Sequence, residues 1–370
     1  MKIERVEQFH IEMPLRQPFE TSFGREDGIY RVITAVYVEG EVGWGEAPVE
    51  RLPLFSAETA ETCWHAQRDA LIPLLLDAEL ESAADVPKVF SSVRGHNMAK
   101  AGLEAAVWDL EAKLRGVSLA ELIGGERRRV DVGVSVGIQP TVEQLVEQIA
   151  AYVEQGYRRV KVKIKPGWDA NVLAAIRERF PDLPLMADAN AAYTLDDAPL
   201  LWSLGEYGLL MLEQPLGYDD LLDHATLQQA FYTPVCLDES ITTLGRAREA
   251  LELGSCRIIN IKPARVGGIS AAKAIHDLCE ERDVPVWCGG MLETGIGRAA
   301  NLAVASLPNF RLPGDISASA RYWEEDIVEP AFTLNEDSTI DVPQGPGIGV
   351  EVRRDLLERF TLARAEYRRG

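Results

Sequence analysis

The sequence predicts an α/β protein, a (β/α)8-type (modified TIM) barrel joined to an N-terminal α+β domain. Three observations predict it. Residues 1 to about 125 read as strands followed by helices, and short apolar strands then alternate with helical stretches from about 130 to 315. Five consecutive strands also end in a charged residue at nearly one interval. The chain divides accordingly into 1–125, 126–320 and a C-terminal segment, 321–370, expected to return to the first domain.

The first strands are carried by Ile3, Val6, Phe9 and Ile11 and by the run 30–38, with turn signals at 39–43 and 44–48. A polar loop with two phenylalanines, 16–25, lies between them. From about 56 to 125 the pattern is helical. Its clearest member spans 100–114, where Leu103, Ala106, Val107, Leu110 and Leu114 share one helix face, and Gly116 offers a C-terminal cap. Eight strands follow, at 130–136, 159–165, 184–190, 209–213, 234–238, 257–262, 284–288 and 310–315. Helical stretches such as 141–155 and 245–253 fill the gaps. This alternation fits a closed parallel barrel. An open doubly wound sheet would place a glycine-rich phosphate loop after its first strand, and Val136-Gly-Ile-Gln-Pro140 is a poor match. The tail adds a strand-and-turn region at 333–350 and a charged terminal helix.

With 46% hydrophobic and 26% charged residues over 370 positions, the chain can fill a large core and is not disordered. Lys and Arg number 38 against 58 Asp and Glu, a formal charge of −20. A surface of that sign repels nucleic acid and anionic membranes, so neither is an expected partner. A small anionic substrate stays admissible, because a few fixed cations inside a pocket outweigh a distant surface field. Cys63, Cys236, Cys256, Cys279 and Cys288 are odd in number and scattered. Cys236, Cys256 and Cys288 sit in or beside apolar strand-like runs and read as small core hydrophobes, and the set suits a reducing cytoplasm. The first residues lack a signal-peptide core, and no run reaches the roughly 18 apolar residues of a membrane span. The expected location is the cytoplasm.

Parallel barrels carry their active sites at the C-terminal strand ends. Lys163, Asp188, Glu213, Asp238 and Lys262 each end a strand, at spacings of 25, 25, 25 and 24 residues. One strand–helix repeat separates each from the next, so all five fall at one level of the rim. Singly, such a residue serves equally well as a helix cap; five in phase do not. Three carboxylates on adjacent strands repel unless a cation lies between them or one takes a proton. Oxygen ligands without His or Cys suit a hard ion such as Mg2+, and a cluster neutralised by Arg or Lys is the competing reading. His10, His65, His96, His224 and His276 lie off the strand ends, which disfavours zinc or an imidazole base.

In the run Lys161-Val-Lys163-Ile-Lys165 the three lysines share one face, with Lys163 level with the carboxylates, Lys161 deeper and Lys165 nearer the loop. Neighbouring ammonium groups and a divalent cation disfavour an added proton, which makes Lys163 a general-base candidate with Lys262 opposite. A metal flanked by two lysines suits proton abstraction beside a carboxylate, whose dianionic intermediate needs concentrated positive charge.

The segments Lys161-Val-Lys163, Asp188-Ala-Asn190, Glu213-Gln-Pro215, Asp238-Glu-Ser240 and Lys262-Pro-Ala-Arg-Val-Gly-Gly268 resemble the enolase superfamily, muconate lactonizing subgroup. Finer matches at Lys163-Ile-Lys-Pro-Gly-Trp-Asp169, Trp287-Cys-Gly-Gly-Met-Leu-Glu-Thr-Gly295 and Leu312-Pro-Gly-Asp-Ile-Ser317 resemble its o-succinylbenzoate synthase / N-succinylamino acid racemase family. The resemblance spans the whole chain and makes the first domain a cap whose loops near 16–25 and 47–57 close over the barrel. It implies Mg2+ on Asp188, Glu213 and Asp238, with Mn2+ or another divalent ion able to substitute. It makes Lys163 and Lys262 the acid/base pair.

For the synthase, which dehydrates a succinyl-hydroxycyclohexadiene carboxylate in menaquinone biosynthesis, Lys163 takes the α-proton and then protonates the departing hydroxyl, and Lys262 steadies the enediolate. For the racemase the two lysines alternate on N-succinylamino acids. Lys161 and Asn190 assist the substrate carboxylate, while Ser135, Gly290 and Met291 line the pocket. Arg265 matches a position associated with racemase activity, against the plainer reading of a surface-loop arginine. The family resemblance also implies a homo-oligomer acting on a small-molecule carboxylate.

A dipeptide epimerase would carry Asp-x-Asp at the eighth strand end, where Asp315-Ile-Ser317 lacks the second acid. Muconate cycloisomerase is a further alternative. A mandelate-type enzyme would need a His base where Trp287-Cys288-Gly289 stands. A non-catalytic barrel scaffold would be expected to have lost a ligand or a lysine, and all five groups are present.

Overall fold

The computed structural model describes residues 1–370. Its N-terminal domain is an antiparallel meander, β1 (Arg5–Glu20), β2 (Arg25–Val38) and β3 (Glu41–Ala47), backed by helix α1 (Asn97–Arg115). Helix and sheet approach closely because Gly45 has no side chain: a Cβ there would stand 2.0 Å from the Gly102 carbonyl oxygen. Much of the segment 16–25, expected as a loop, is strand instead. Phe19 pairs with Glu26 and Glu20 with Arg25, so the β1–β2 hairpin is prolonged and only its tip is irregular. Pro14 and Pro18 interrupt the ladder and hide this from the sequence pattern.

The strand expected over 130–136 is two strands. β4 (Arg129–Asp131) leaves the barrel, and β5 (Val134–Val136) joins it. The chain changes partners in between, Val132 donating to Ser338 and Val134 to the Arg159 carbonyl. Then β6 (Val160–Lys163), β7 (Leu185–Asp188), β8 (Leu212–Glu213), β9 (Val235–Leu237), β10 (Ile258–Ile261) and β11 (Val286–Cys288) continue a parallel seven-stranded sheet in chain order. Its main helices are α2 (Val142–Glu154), α3 (Ala170–Arg179), α4 (Ala198–Leu204), α5 (Leu222–Ala230), α6 (Leu244–Leu253), α7 (Ile269–Glu281) and α8 (Gly295–Ala305).

The eighth stave, 310–315, makes no continuous ladder. Phe310 bridges Val286 and Gly314 bridges Val132. Asp315 donates to Cys288 (2.9 Å) and Gly133 donates to Gly314 (2.8 Å), so the ring closes through isolated bonds. Pro313 has no N–H to give a longer ladder.

The two-residue period of these strands decides what each face carries. Val160, Val162, Leu185, Ala187, Val235, Leu237, Ile259 and Ile261 pack in the large core that includes the helices. Met186, Met211, Cys236, Ile258 and Trp287 form a separate apolar cluster on the other face, inside the barrel. Two positions on from four of these stand Asp188, Glu213, Asp238 and Asn260. The apolar cluster is therefore the floor, and the polar residues rise above it.

The tail adds β12 (Val328–Glu329), β13 (Thr339–Asp341) and β14 (Glu351–Val352), with β12 paired to β14 and β13 to β4. The charged terminal helix is only α9 (Arg354–Phe360); residues beyond it form an edge strand, β15 (Thr361–Arg368), antiparallel to β1. Its charges belong to that edge, where Arg364 meets Glu7 at 2.5 Å and Glu366 meets Arg5 at 3.1 Å. All five cysteines are free and buried, and no helix is long and apolar enough to cross a membrane.

Buried acids of the first domain cap barrel helices. Glu104 on α1 accepts from the Ile269 and Ser270 amides at 2.6 and 3.0 Å, at the start of α7. Glu46 on β3 accepts from the Thr294 and Gly297 amides at 3.1 and 2.9 Å, at the start of α8. Each carboxylate satisfies amides that a helix start leaves without partners.

Gly45→Ala is expected to lower stability by about 1–3 kcal/mol or more, because backbone must move to admit the methyl group. Gly217→Ala, whose Cβ would meet only Asp220 Cβ at 3.5 Å, is expected to stay within about 0.5 kcal/mol. Urea denaturation of both variants checks this, and equal midpoints would refute the packing argument.

Candidate active site

A cavity lies between the barrel mouth and the first domain. Ser135, Lys161, Lys163, Asn190, Lys262, Gly290, Met291 and Asp315 line it from the barrel. Phe19, Phe23, Glu26, Glu50, Leu54 and Phe55 line it from the other side. Of the residues singled out in the sequence, Ser135, Lys161, Lys163, Asn190, Lys262, Gly290 and Met291 thus share one surface. Asp188, Glu213, Asp238 and Arg265 are not on that surface; they lie in the wall behind it, the three acids fully buried.

Each acid is bound to a cation. Lys163 Nζ donates to Asp188 Oδ2 at 2.6 Å and to Asn190 Oδ1 at 2.7 Å. Lys161 Nζ lies 3.0 Å from Asp188, 2.8 Å from Glu213 and 2.8 Å from Asp315. On the far side Lys262 Nζ is 2.8 Å from Asp238 Oδ2, and Arg265 pairs with Asp238 Oδ1. Arg265 is therefore not a surface-loop arginine: it is 4% exposed and also donates to the Ile241 and Asn260 carbonyls. Gly289 gives Lys262 its path, since a Cβ there would come within 2.7 Å of the lysine Cε. Lys262 Nζ then sits 4.4 Å from the ring centre of Phe55, and Lys161 Nζ 4.8 Å from that of Trp287 in the floor.

These contacts set the proton balance. Burial raises the Asp188 carboxyl, but Lys161 and Lys163 outweigh it and hold the group below its ordinary range. Burial pushes Glu213 up to about 8, and the neighbouring Asp188 adds to the rise. Burial opposes the charge on Lys262, yet Asp238 holds the ammonium above its usual value.

The donor set fits a hard divalent cation. Three buried carboxylates are carried by β7, β8 and the end of β9, and Lys161 is the one cation in contact with Glu213. Asp238 Oδ2 touches Lys262 without hydrogen-bond alignment. The acids do not form a ligand-spaced cluster: the group of acid oxygens and imidazole nitrogens within 4.8 Å of one another is His276, Asp277 and Glu280, away on α7. Lys161, Lys163 and Lys262 each stand within 3.0 Å of one or more of these acids.

Sequence reasoning passed over Arg159 and Asn260, which complete the network. Arg159 Nη1 donates to Asp315 at 2.6 Å, and Asn260 Nδ2 to Glu213 at 2.7 Å. Both lie two residues before a lysine already singled out, on the same strand face, so the two-residue period could have found them. Glu239 was quoted only within a motif. It accepts from Asn190 at 2.8 Å, and burial with the adjacent Asp238 pushes it up to about 7.

Asp238→Asn in metal-free protein is expected to cost about 3 kcal/mol, because Lys262 and Arg265 lose their buried counter-charge. Glu213→Gln, replacing an acid already inclined to hold a proton, is expected to cost clearly less. Both are expected to weaken Mg2+ binding. Urea unfolding in chelator and Mg2+ titration check this; equal destabilisation by the two substitutions would overturn the charge assignment.

Residues 3–124 match the mandelate racemase / muconate lactonizing enzyme N-terminal domain, and residues 144–356 match the enolase C-terminal domain-like family. An o-succinylbenzoate synthase of Geobacillus kaustophilus is 54% identical over 98% of this chain and 96% of its own. An N-succinylamino acid racemase of Thermus thermophilus is 47% identical over 98% of each. A solved enolase superfamily member from Listeria innocua superposes over 100% of both chains with a TM-score of 0.96 at 43% identity. The chain belongs to the enolase superfamily, within the o-succinylbenzoate synthase / N-succinylamino acid racemase family of its mandelate racemase / muconate lactonizing subgroup.

Proposed function

We propose that the protein removes the proton α to the carboxylate of a small substrate, as a synthase of o-succinylbenzoate, a racemase of N-succinylamino acids, or both. One observation carries the reading: Lys163 from β6 and Lys262 from the end of β10 face a single cavity, with the carboxylates of the intervening strands in the wall between them. A substrate α-carbon between them has a lysine on either face.

Asp188, Glu213 and Asp238 would hold Mg2+, or Mn2+ or another divalent ion in its place, which would supply positive charge that acidifies the substrate α-carbon. Lys163, as the neutral amine left once its ammonium group has released a proton to solvent, turns from Asp188 and takes the α-proton. Lys262, kept charged by Asp238, lies opposite and opposes the negative charge that builds on the substrate carboxylate. Delivery of a proton from the Lys262 ammonium group to the opposite face inverts the centre and leaves Lys262 neutral. Returning the abstracted proton from Lys163 to a leaving hydroxyl eliminates water. Lys161 and Asn190 hold the carboxylate end, Ser135, Gly290 and Met291 shape the pocket, and Arg265 fixes Asp238. Ser135 supports this placement, since the residue lines the cavity and its buried Oγ has no partner within the protein.

The same geometry disfavours a free α-ammonium group on the substrate. Asp315, the acid a dipeptide epimerase would use for it, is already held by Arg159 and Lys161 at 2.6 and 2.8 Å. An acylated nitrogen makes no such demand.

In D2O with Mg2+, N-succinyl amino acids are expected to exchange the α-proton and racemise. Lys163→Ala and Lys262→Ala are each expected to lower racemisation by about 10²–10⁴-fold, with exchange surviving for one enantiomer. Proton NMR and polarimetry read both. Racemisation at a near wild-type rate in either variant would refute the two-base assignment.

A further inference from the structure

Arg31 takes no part in the chemistry above, yet its guanidinium group joins two walls of the cavity. It stands on β2 opposite Ile11 of β1 and is 1% exposed. Nη1 donates to the Val49 carbonyl at 2.7 Å and to that of Tyr30 at 2.8 Å. Nη2 donates to the Met291 and Leu292 carbonyls at 2.5 and 3.2 Å. Val49 leads into the segment that supplies Glu50, Leu54 and Phe55 to the cavity from the first domain. Met291 and Leu292 belong to the wall that the barrel supplies between β11 and α8. One planar fork thus spans the seam between the domains, a reach that a single ammonium group cannot reproduce. Its charge is met by Glu46 at 3.5 Å and is also felt by Glu26 and Glu50.

The barrel side of the seam is strained. Leu292 has a φ of +54°, in the left-handed region where a residue other than glycine stays only if its surroundings hold it. Glu293 accepts from the Met291 amide and from Asn301, both at 2.8 Å. Arg298 donates to the Glu293 carbonyl at 3.0 Å. Gly290 packs against the Asp315 carbonyl oxygen, which would stand 2.6 Å from a Cβ. These contacts come from the barrel itself. Arg31 adds a grip on two successive carbonyls of the turn from the other domain.

We infer that Arg31 is a positioning residue for substrate selection: it fixes the 290–292 turn against the 49–55 segment, and so sets from the first domain how large a substrate side chain the cavity admits. This deepens the reading of the lysine pair as the reacting site and rests on it. The hydrogen bonds and ion pair of Arg31 include none of Lys163, Lys262 and the acids behind them. Loss of the fork therefore changes which substrates fit more than how fast the proton moves.

The test compares N-succinyl-L-phenylalanine with N-succinyl-L-alanine, racemised with Mg2+ by the wild type, Arg31→Lys and Arg31→Met. A ratio of kcat/KM between two substrates does not depend on the fraction of protein folded, so a merely structural role leaves it unmoved. The apolar walls are expected to make the wild type favour the phenylalanine derivative by about tenfold or more, mainly through KM. Both variants are expected to lower that ratio by about fivefold or more, with kcat on the alanine derivative kept within about threefold. Amide exchange over 289–293, read by mass spectrometry, is expected to quicken in both variants while that of the barrel floor stays as it is. Arg31→Lys keeps the charge beside Glu46 without the fork. A wild-type ratio or wild-type exchange in that variant overturns the inference and leaves the α-proton chemistry standing. So does a ratio near one in the wild type, or loss of the fold in both variants. If neither compound exchanges its α-proton in the wild type, the underlying reading falls and this inference with it.

Discussion

The barrel mouth depends on one constraint, the neutralisation of charges that water cannot reach. Arg159, Lys161, Lys163, Lys262 and Arg265 face Asp188, Glu213, Asp238, Glu239 and Asp315, and all are under one-tenth exposed. Taking an ion of this size out of water costs several kcal/mol, recovered only through well-placed partners. The network is therefore specified residue by residue. Lys161 bridges three acids from three staves, Arg265 returns from beyond β10 to Asp238, and Asn260 covers Glu213, which no arginine reaches. An assembly this tightly balanced holds its amines at fixed positions before any substrate arrives, and that preorganisation is what abstraction of a weakly acidic proton demands.

The same principle joins the domains. Glu46 and Glu104 would be costly where they are buried if the starts of α8 and α7 did not offer them amides. In return they fix the first domain over the barrel. Arg31 extends the clamp to the backbone of Met291 and Leu292, the segment that forms part of the cavity wall. The position of the pocket roof is thus set by ionic contacts far from the reacting carbon, and the Phe55 ring resting near Lys262 is placed by the same arrangement.

What was legible in the sequence follows from which signals are periodic. The strand-ending charges repeat with the strand–helix unit, so the positions of Lys163, Asp188, Glu213, Asp238 and Lys262 around one rim could be read without coordinates. Arg159 and Asn260 obey the shorter two-residue period and were equally available. The eighth stave was readable as a segment but not as bridges, because Pro313 removes a donor without changing the hydrophobic pattern. The tail misled for a different reason. Alternating charged and small residues in 361–368 suit an exposed helix as well as an edge strand, and only the open side of β1 decides between them. The prolonged β1–β2 hairpin was obscured by its prolines, and with it the approach of Phe19, Phe23 and Glu26 to the cavity.

These differences in legibility mirror a division of labour. The barrel supplies groups at intervals imposed by its architecture, and on the proposed reading those groups set the reaction. The first domain supplies Glu26, Glu50 and the aromatic walls from segments with no repeat to fix them. Neither acid is in salt-bridge contact with the lysines or arginines of the barrel. A cavity built this way can alter which side chain it admits without disturbing the amines that move the proton.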